Sequence, residues 1–136
     1  MAALLAMVLI VIALPACGSS ASAPAGQTFK TLADAGAQVY SDACGVCHGN
    51  NGQPADKYTV LLWSEGSTLG SYHGITFFTD ARGMLDYMTK EMPLQTPGSL
   101  TDRQYTELLA YILVQADIVS PSTAFDANNL SSISIP

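Results

Sequence analysis

Basic residues are scarce in this chain of 136 residues, with five Lys and Arg against eleven Asp and Glu and a net charge of −6. Because so few cations cannot neutralise many phosphates, the composition argues against nucleic-acid binding. The chain is also short. At roughly 100–200 residues per domain, it has room for one small domain and excludes a multidomain enzyme. The sequence contains no internal repeat.

The N-terminal segment is the longest apolar stretch of the chain. Residues 1–16, MAALLAMVLIVIALPA, carry no charge. They are fewer than the roughly 20 residues that cross a bilayer, and they have the length and character of the apolar core of a secretory signal peptide. A signal peptide begins with basic residues, and no Lys or Arg precedes Lys30, so we expect the translation start to lie upstream.

The residues that follow indicate where this peptide is cut. Leu14-Pro15-Ala16-Cys17 resembles the lipobox of bacterial lipoproteins, which implies cleavage before Cys17 and attachment of a diacylglycerol to its thiol. Residues 17–28 are rich in Gly, Ser, Ala and Pro and are predicted to form a flexible tether. Two alternatives are cleavage after Ala23 and an uncleaved anchor. All three interpretations place the rest of the chain outside the cytoplasm, and cleavage before Cys17 predicts a lipid anchor at the outer face of the cytoplasmic membrane.

Only three cysteines are present, and lipidation would account for Cys17. The other two form Cys44-Gly45-Val46-Cys47-His48, the C-x-x-C-H signature of covalent c-type haem attachment. Residues three apart share one face of a helix, so both thiols can meet the two vinyl groups of one haem, while His48 is placed as the proximal iron ligand. The alternatives are a Cys44–Cys47 disulfide, a zinc site and a thioredoxin-like redox pair.

A second axial ligand is predicted further along the chain. In c-type electron carriers it is usually Met or a second His. Met84 and Met88 have the i, i+4 spacing of a helix and are predicted to pack in the core. Met92 precedes a proline, which disfavours helical backbone there, so Met92 is the predicted ligand. The alternatives are His73 and an open distal site.

Three helices are predicted. The first runs from about Leu32 to Asp42, and Gly36 within it indicates a close contact with the last helix. The second covers residues 80–91. The third follows Thr101, which begins an S/T-x-x-Q capping box. The tail, residues 120–136, is predicted to be irregular and to pack onto the domain through Phe125, Leu130, Ile133 and Ile135.

These motifs together resemble the single-haem class I cytochromes c, over roughly Thr31 to Val119. The resemblance implies an all-α cytochrome c fold in residues 29–119, with three to four helices wrapped around one covalently bound haem c. It also implies thioethers at Cys44 and Cys47 and axial ligation by His48 and Met92. A narrower resemblance is to the cytochrome subunits of bacterial sulfite dehydrogenases. The class I resemblance rests on Gly36–Tyr40, Cys44–Gly49, Tyr87–Pro93, Pro97–Asp102 and Leu109–Leu113. The narrower resemblance rests on Leu85–Leu113 and on Asp126–Leu130 in the tail.

The function implied is one-electron transfer, for which no catalytic acid, base or nucleophile is needed. The expected partners are redox proteins, either membrane respiratory complexes or a dehydrogenase, and the acidic balance favours partners with basic docking surfaces. One alternative is a dedicated electron-accepting subunit of a dehydrogenase or oxidase complex, and another is a haem-based ligand sensor. Trp63, Tyr72 and Arg82 are candidates for contacts to the haem propionates.

Overall fold

The computed structural model describes residues 26–49 and 77–135, and these ranges form helices and no strand, as the predicted all-α fold requires. Two isolated antiparallel bridges, Thr28 with Ala124 and Asp80 with Ser134, join separate segments. The helices are α1 (Phe29–Ala43), α2 (Gly45–His48), α3 (Ala81–Glu91), α4 (Asp102–Gln115) and a C-terminal 3-10 helix (Ala127–Ser132).

Several predictions concern residues outside the described ranges. They are the signal peptide, the lipidation of Cys17, residues 17–25 of the tether, the alternative ligand His73 and the propionate candidates Trp63 and Tyr72. Within the described ranges, no helix is long and apolar enough to span a membrane.

The first helix begins earlier than predicted. It starts at Phe29 because the Thr28 side chain caps it, accepting a hydrogen bond from the Thr31 N–H at 3.4 Å. It ends at Ala43, and the N–H of Cys44 still bonds to the Tyr40 carbonyl at 2.9 Å. The haem-attachment motif therefore follows α1 directly.

The contact between α1 and α4 is centred on Gly36, as the sequence predicts. A Cβ at this position would collide with the carbonyl group of Glu107 and would lie 3.0 Å from the Tyr111 Cβ. One turn further on, the rings of Tyr40 and Tyr111 lie 5.1 Å apart. The absence of a side chain at Gly36 thus lets the two helices approach closely.

The start of α4 is fixed by the predicted capping box. Thr101 accepts from the Gln104 N–H at 3.2 Å, and the Gln104 side chain accepts from the Thr101 N–H at 2.9 Å. From this start, α4 buries Tyr105, Leu108 and Ile112, which lie on one face of the helix. This face forms much of the core.

The C-terminal tail is more ordered than predicted. Asp126 caps the 3-10 helix by accepting from the Asn128 N–H at 2.9 Å. Leu130 is buried, and the Phe125 ring packs edge-on against Phe29 at 5.3 Å. The prediction of an irregular tail was wrong in this segment, because the apolar side chains and the Asp cap fix a turn that has no helical periodicity in the sequence. The ends of the tail pair with α1 and with the start of α3.

Candidate functional site

The C-x-x-C-H motif forms one helical turn. The Cys44 carbonyl accepts from the N–H groups of Cys47 and His48, at 3.1 and 2.9 Å. The turn ends at Gly49, whose φ of 75° lies in the left-handed region that favours glycine. Cys44, Cys47 and His48 are half-buried and line the same cavity. The predicted arrangement of two thiols and one imidazole on one turn is present in the backbone.

The two thiols are free, with no disulfide between them. Burial raises the pKa of the Cys44 thiol from 9.0 to about 11, and the charge of Cys47 adds to the rise. Because the thiolate is the reactive form, redox-active C-x-x-C pairs depend on a lowered thiol pKa, so this environment disfavours the thioredoxin-like alternative. In the described ranges, no three His, Cys, Asp or Glu side chains group as a metal site.

The cavity beside this turn is formed by all four α-helices and the loop after α3. Among the described residues, no Asp, Glu, Lys or Arg lines it. Apart from the thiols and His48, the polar groups in its lining are those of Tyr87 and Gln95. The described lining consists of Ala43, Cys44, Cys47, His48, Phe78, Met84, Tyr87, Met88, Met92, Pro93, Leu94, Gln95, Leu108 and Ile112.

Three methionines reach this cavity. Met84 and Met88 are buried on α3, which agrees with their predicted place in the core, although both also line the cavity wall. Met92 is half-buried and lies at the end of α3 in extended backbone, with φ −123° and ψ 150°. The prediction that Met92 leaves the helix ahead of Pro93 is confirmed, and the cavity contains both His48 and Met92.

The backbones of both predicted axial ligands accept a hydrogen bond from a tyrosine. The Tyr105 hydroxyl donates to the Met92 carbonyl at 2.6 Å, and the Tyr40 hydroxyl donates to the His48 carbonyl at 3.4 Å. The sequence does not predict these two hydrogen bonds. The spacing of the two tyrosines on α1 and α4 predicts burial, but it carries no information about which carbonyl each hydroxyl meets.

Arg82 has a different place from the one predicted. Its guanidinium donates to the Ala127 carbonyl at 2.7 Å and lines a groove between α3, α4 and the tail. It is not among the described residues that line the cavity of Cys44 and His48. This placement does not support the candidate role of Arg82 toward a haem propionate, since the ordered tail supplies an acceptor for its guanidinium.

The chemistry of the cavity fits haem c. Two thiols on one helical turn match the two vinyl groups, and His48 and Met92 offer the imidazole and thioether found on haem iron in electron carriers. The apolar lining suits a macrocycle that is largely hydrophobic. Cys44, Cys47, His48 and Met92 are thus the residues that would hold the group.

Comparisons with known proteins agree with this fit. The model of the family cytochrome c oxidase, cbb3-type, subunit III matches residues 31–112. The crystal structure of the sulfane dehydrogenase SoxCD from Paracoccus pantotrophus matches with a TM-score of 0.66 and 20% identity, over 76% of this chain and 53% of that chain.

The structural match shows a shared fold, and this chain spans about half the length of the SoxCD chain that it matches. No curated protein matches the sequence at a significant level. The family model, by contrast, covers more than half of the chain and includes the C-x-x-C-H turn, Met84 and Met92. The chain therefore belongs to the cytochrome c oxidase, cbb3-type, subunit III family and contains a c-type cytochrome domain.

Proposed function

We propose that this protein is a one-electron carrier with a single haem c, attached through Cys44 and Cys47 and ligated by His48 and Met92. The observation that carries the proposal is that one cavity contains both thiols, the imidazole and the Met92 side chain. When bound, the haem supplies the Fe(III)/Fe(II) couple. Ligation by both His48 and Met92 would leave the iron no free site for a substrate.

The described residues around the site are mainly apolar, which suits a buried redox group. The apolar residues Leu108 and Ile112 exclude water from the inner wall, which lowers the local dielectric and tunes the reduction potential. Leu94 and Tyr87 line the cavity and are also exposed, so the cavity rim offers an apolar contact for a small and transient redox complex.

The attachment is tested by single Cys44→Ser and Cys47→Ser variants and the double variant, produced with c-type haem maturation. We expect each single variant to keep haem through one thioether and the double variant to lose all haem on acid extraction. Covalent haem in the double variant would contradict the proposal.

The distal ligand is tested by Met92→Ala, with Met88→Leu as the matched control from the same cavity wall. We expect Met92→Ala alone to lose the near-infrared band of sulfur-ligated ferric haem and to bind carbon monoxide when reduced. Carbon monoxide binding by the unmodified reduced protein would favour the ligand-sensor alternative.

A second candidate is an electron-accepting subunit of a dehydrogenase or oxidase complex. The family is named for an oxidase subunit, and the similar fold in SoxCD belongs to a dehydrogenase. Affinity purification from mildly cross-linked membranes distinguishes the two. Co-purification of a catalytic chain in equal amount supports the role of a complex subunit. Absence of such a chain, together with rapid oxidation of the protein by several redox partners, supports the role of a free carrier.

We further propose that the protein is exported and tethered through a lipid on Cys17. The lipobox-like Leu14-Pro15-Ala16-Cys17 supports this proposal. Intact-mass measurement of the membrane-extracted protein should detect diacylglycerol on the chain; Cys17→Ser should lose it, whereas Ser20→Ala should keep it. Absence of the lipid from the unmodified protein, or its presence in Cys17→Ser, would contradict lipidation at Cys17.

A further inference from the structure

The backbone of Met92 is held on both sides of its Cα atom. Its N–H donates to the Met88 carbonyl at 3.1 Å, and its carbonyl accepts from the Tyr105 hydroxyl at 2.6 Å. The first bond is the last of α3, whereas the second comes from a different helix. Pro93 follows and restricts the backbone on the C-terminal side. While both hydrogen bonds are made, the position of the Met92 sulfur is set mainly by its side-chain torsions.

The donor of the second bond is itself rigidly placed. Tyr105 lies in the first turns of α4 with a side chain only 2% exposed, and its N–H bonds to the Thr101 carbonyl at 3.0 Å. The capping box of Thr101 and Gln104 fixes this end of the helix. A phenol has two side-chain torsions, so little entropy is lost in holding the hydroxyl in place.

We propose that Tyr105 is a positioning residue that keeps Met92 in reach of the iron. This inference rests on the proposed function, in which Met92 is the distal ligand. Tyr105 does not touch the iron site itself, since it is not among the described residues that line the cavity. It acts through the Met92 carbonyl, and losing its hydroxyl leaves that part-buried carbonyl without this donor and favours a loop with the sulfur detached.

Competition with imidazole measures this effect on the ferric holoprotein. Imidazole binds by displacing the distal ligand, so its affinity reports how firmly that ligand is held. We expect Tyr105→Phe to bind imidazole about fivefold more tightly than the unmodified protein, the factor that corresponds to one ordinary hydrogen bond. Tyr111→Phe is the matched control, because it removes a hydroxyl from the same helix and should leave the affinity unchanged.

The same substitution in a Met92→Ala background separates positioning from general destabilisation. With no sulfur to detach, Tyr105→Phe should no longer change imidazole affinity. The proposal is overturned by an equal effect in both backgrounds, or by no effect in either. Failure of the proposed function looks different, since Met92→Ala alone would then leave imidazole affinity and the sulfur band unchanged.

A second measurement needs no variant. In the reduced, diamagnetic protein, the Tyr105 hydroxyl proton should exchange slowly with solvent and give a nuclear Overhauser effect to the Met92 Hα. If too little holoprotein of the Tyr105→Phe variant can be prepared, this measurement tests the positioning role of Tyr105 instead. A hydroxyl proton in fast exchange, with no such effect, overturns the proposal.

Discussion

Replacing Gly36 by Ala should weaken the packing of α1 on α4 and lower the free energy of unfolding. The added Cβ would collide with the Glu107 carbonyl, which is backbone and cannot swing aside, and it would press on the Tyr111 Cβ at 3.0 Å. Overpacking of this kind costs about 1–3 kcal/mol, and backbone collisions favour the upper limit. The better helix propensity of Ala returns up to about 1 kcal/mol. The net loss is therefore about 2 kcal/mol.

Thermal unfolding of the holoprotein, followed by circular dichroism and by the haem absorption, measures this loss. At about 4–8 °C per kcal/mol for a domain of this size, the midpoint should fall by about 8–16 °C. Gly83→Ala is the matched control. A Cβ there would meet only the Asp80 Oδ1 at 3.6 Å, so the midpoint should rise by a few degrees. If Gly36→Ala also raises the midpoint, the close approach of the two helices is refuted.

Three further substitutions test the cap, the tail and the groove. Thr101→Ala should lower the free energy of unfolding by about 1 kcal/mol because the capping box is lost, whereas Thr106→Ala should change it little, as measured by denaturant unfolding. Leu130→Ala leaves a cavity in place of a side chain that is 1% exposed, and it should lower the free energy of unfolding by about 2–5 kcal/mol in the same assay. A decrease below about 1 kcal/mol would show that the tail is not part of the core. Arg82→Met removes the donor to the Ala127 carbonyl and should speed limited proteolysis of the tail while leaving the haem spectrum unchanged. A changed spectrum would indicate that Arg82 contacts the haem.

The features that could be predicted from the sequence are those with a local physical cause. The capping box at Thr101 needs only four neighbouring residues, and the proline after Met92 acts on the residue before it. The C-x-x-C-H turn is likewise local. A glycine inside a helix predicts close packing because it has no other evident use there, and Gly36 meets Glu107 as expected.

What the sequence did not predict depends on pairs of residues far apart along the chain. Arg82 donates to Ala127, which is 45 residues away, and the Tyr105 hydroxyl reaches the Met92 carbonyl across 13 residues. Neither pairing leaves a periodic signal, because one partner is a backbone carbonyl that every residue possesses. The 3-10 helix of the tail has the same origin, since it packs against the distant helix α3.

The central claim, that haem c is bound with His48 and Met92 as ligands, is tested most directly by the absorption spectrum of the oxidised and reduced holoprotein. The account predicts a low-spin c-type spectrum with the weak near-infrared band of sulfur-ligated ferric haem, and loss of that band in Met92→Ala. A high-spin spectrum, or a bis-histidine spectrum without the near-infrared band, would contradict ligation by Met92. Absence of covalently bound haem from the purified protein would contradict the account as a whole.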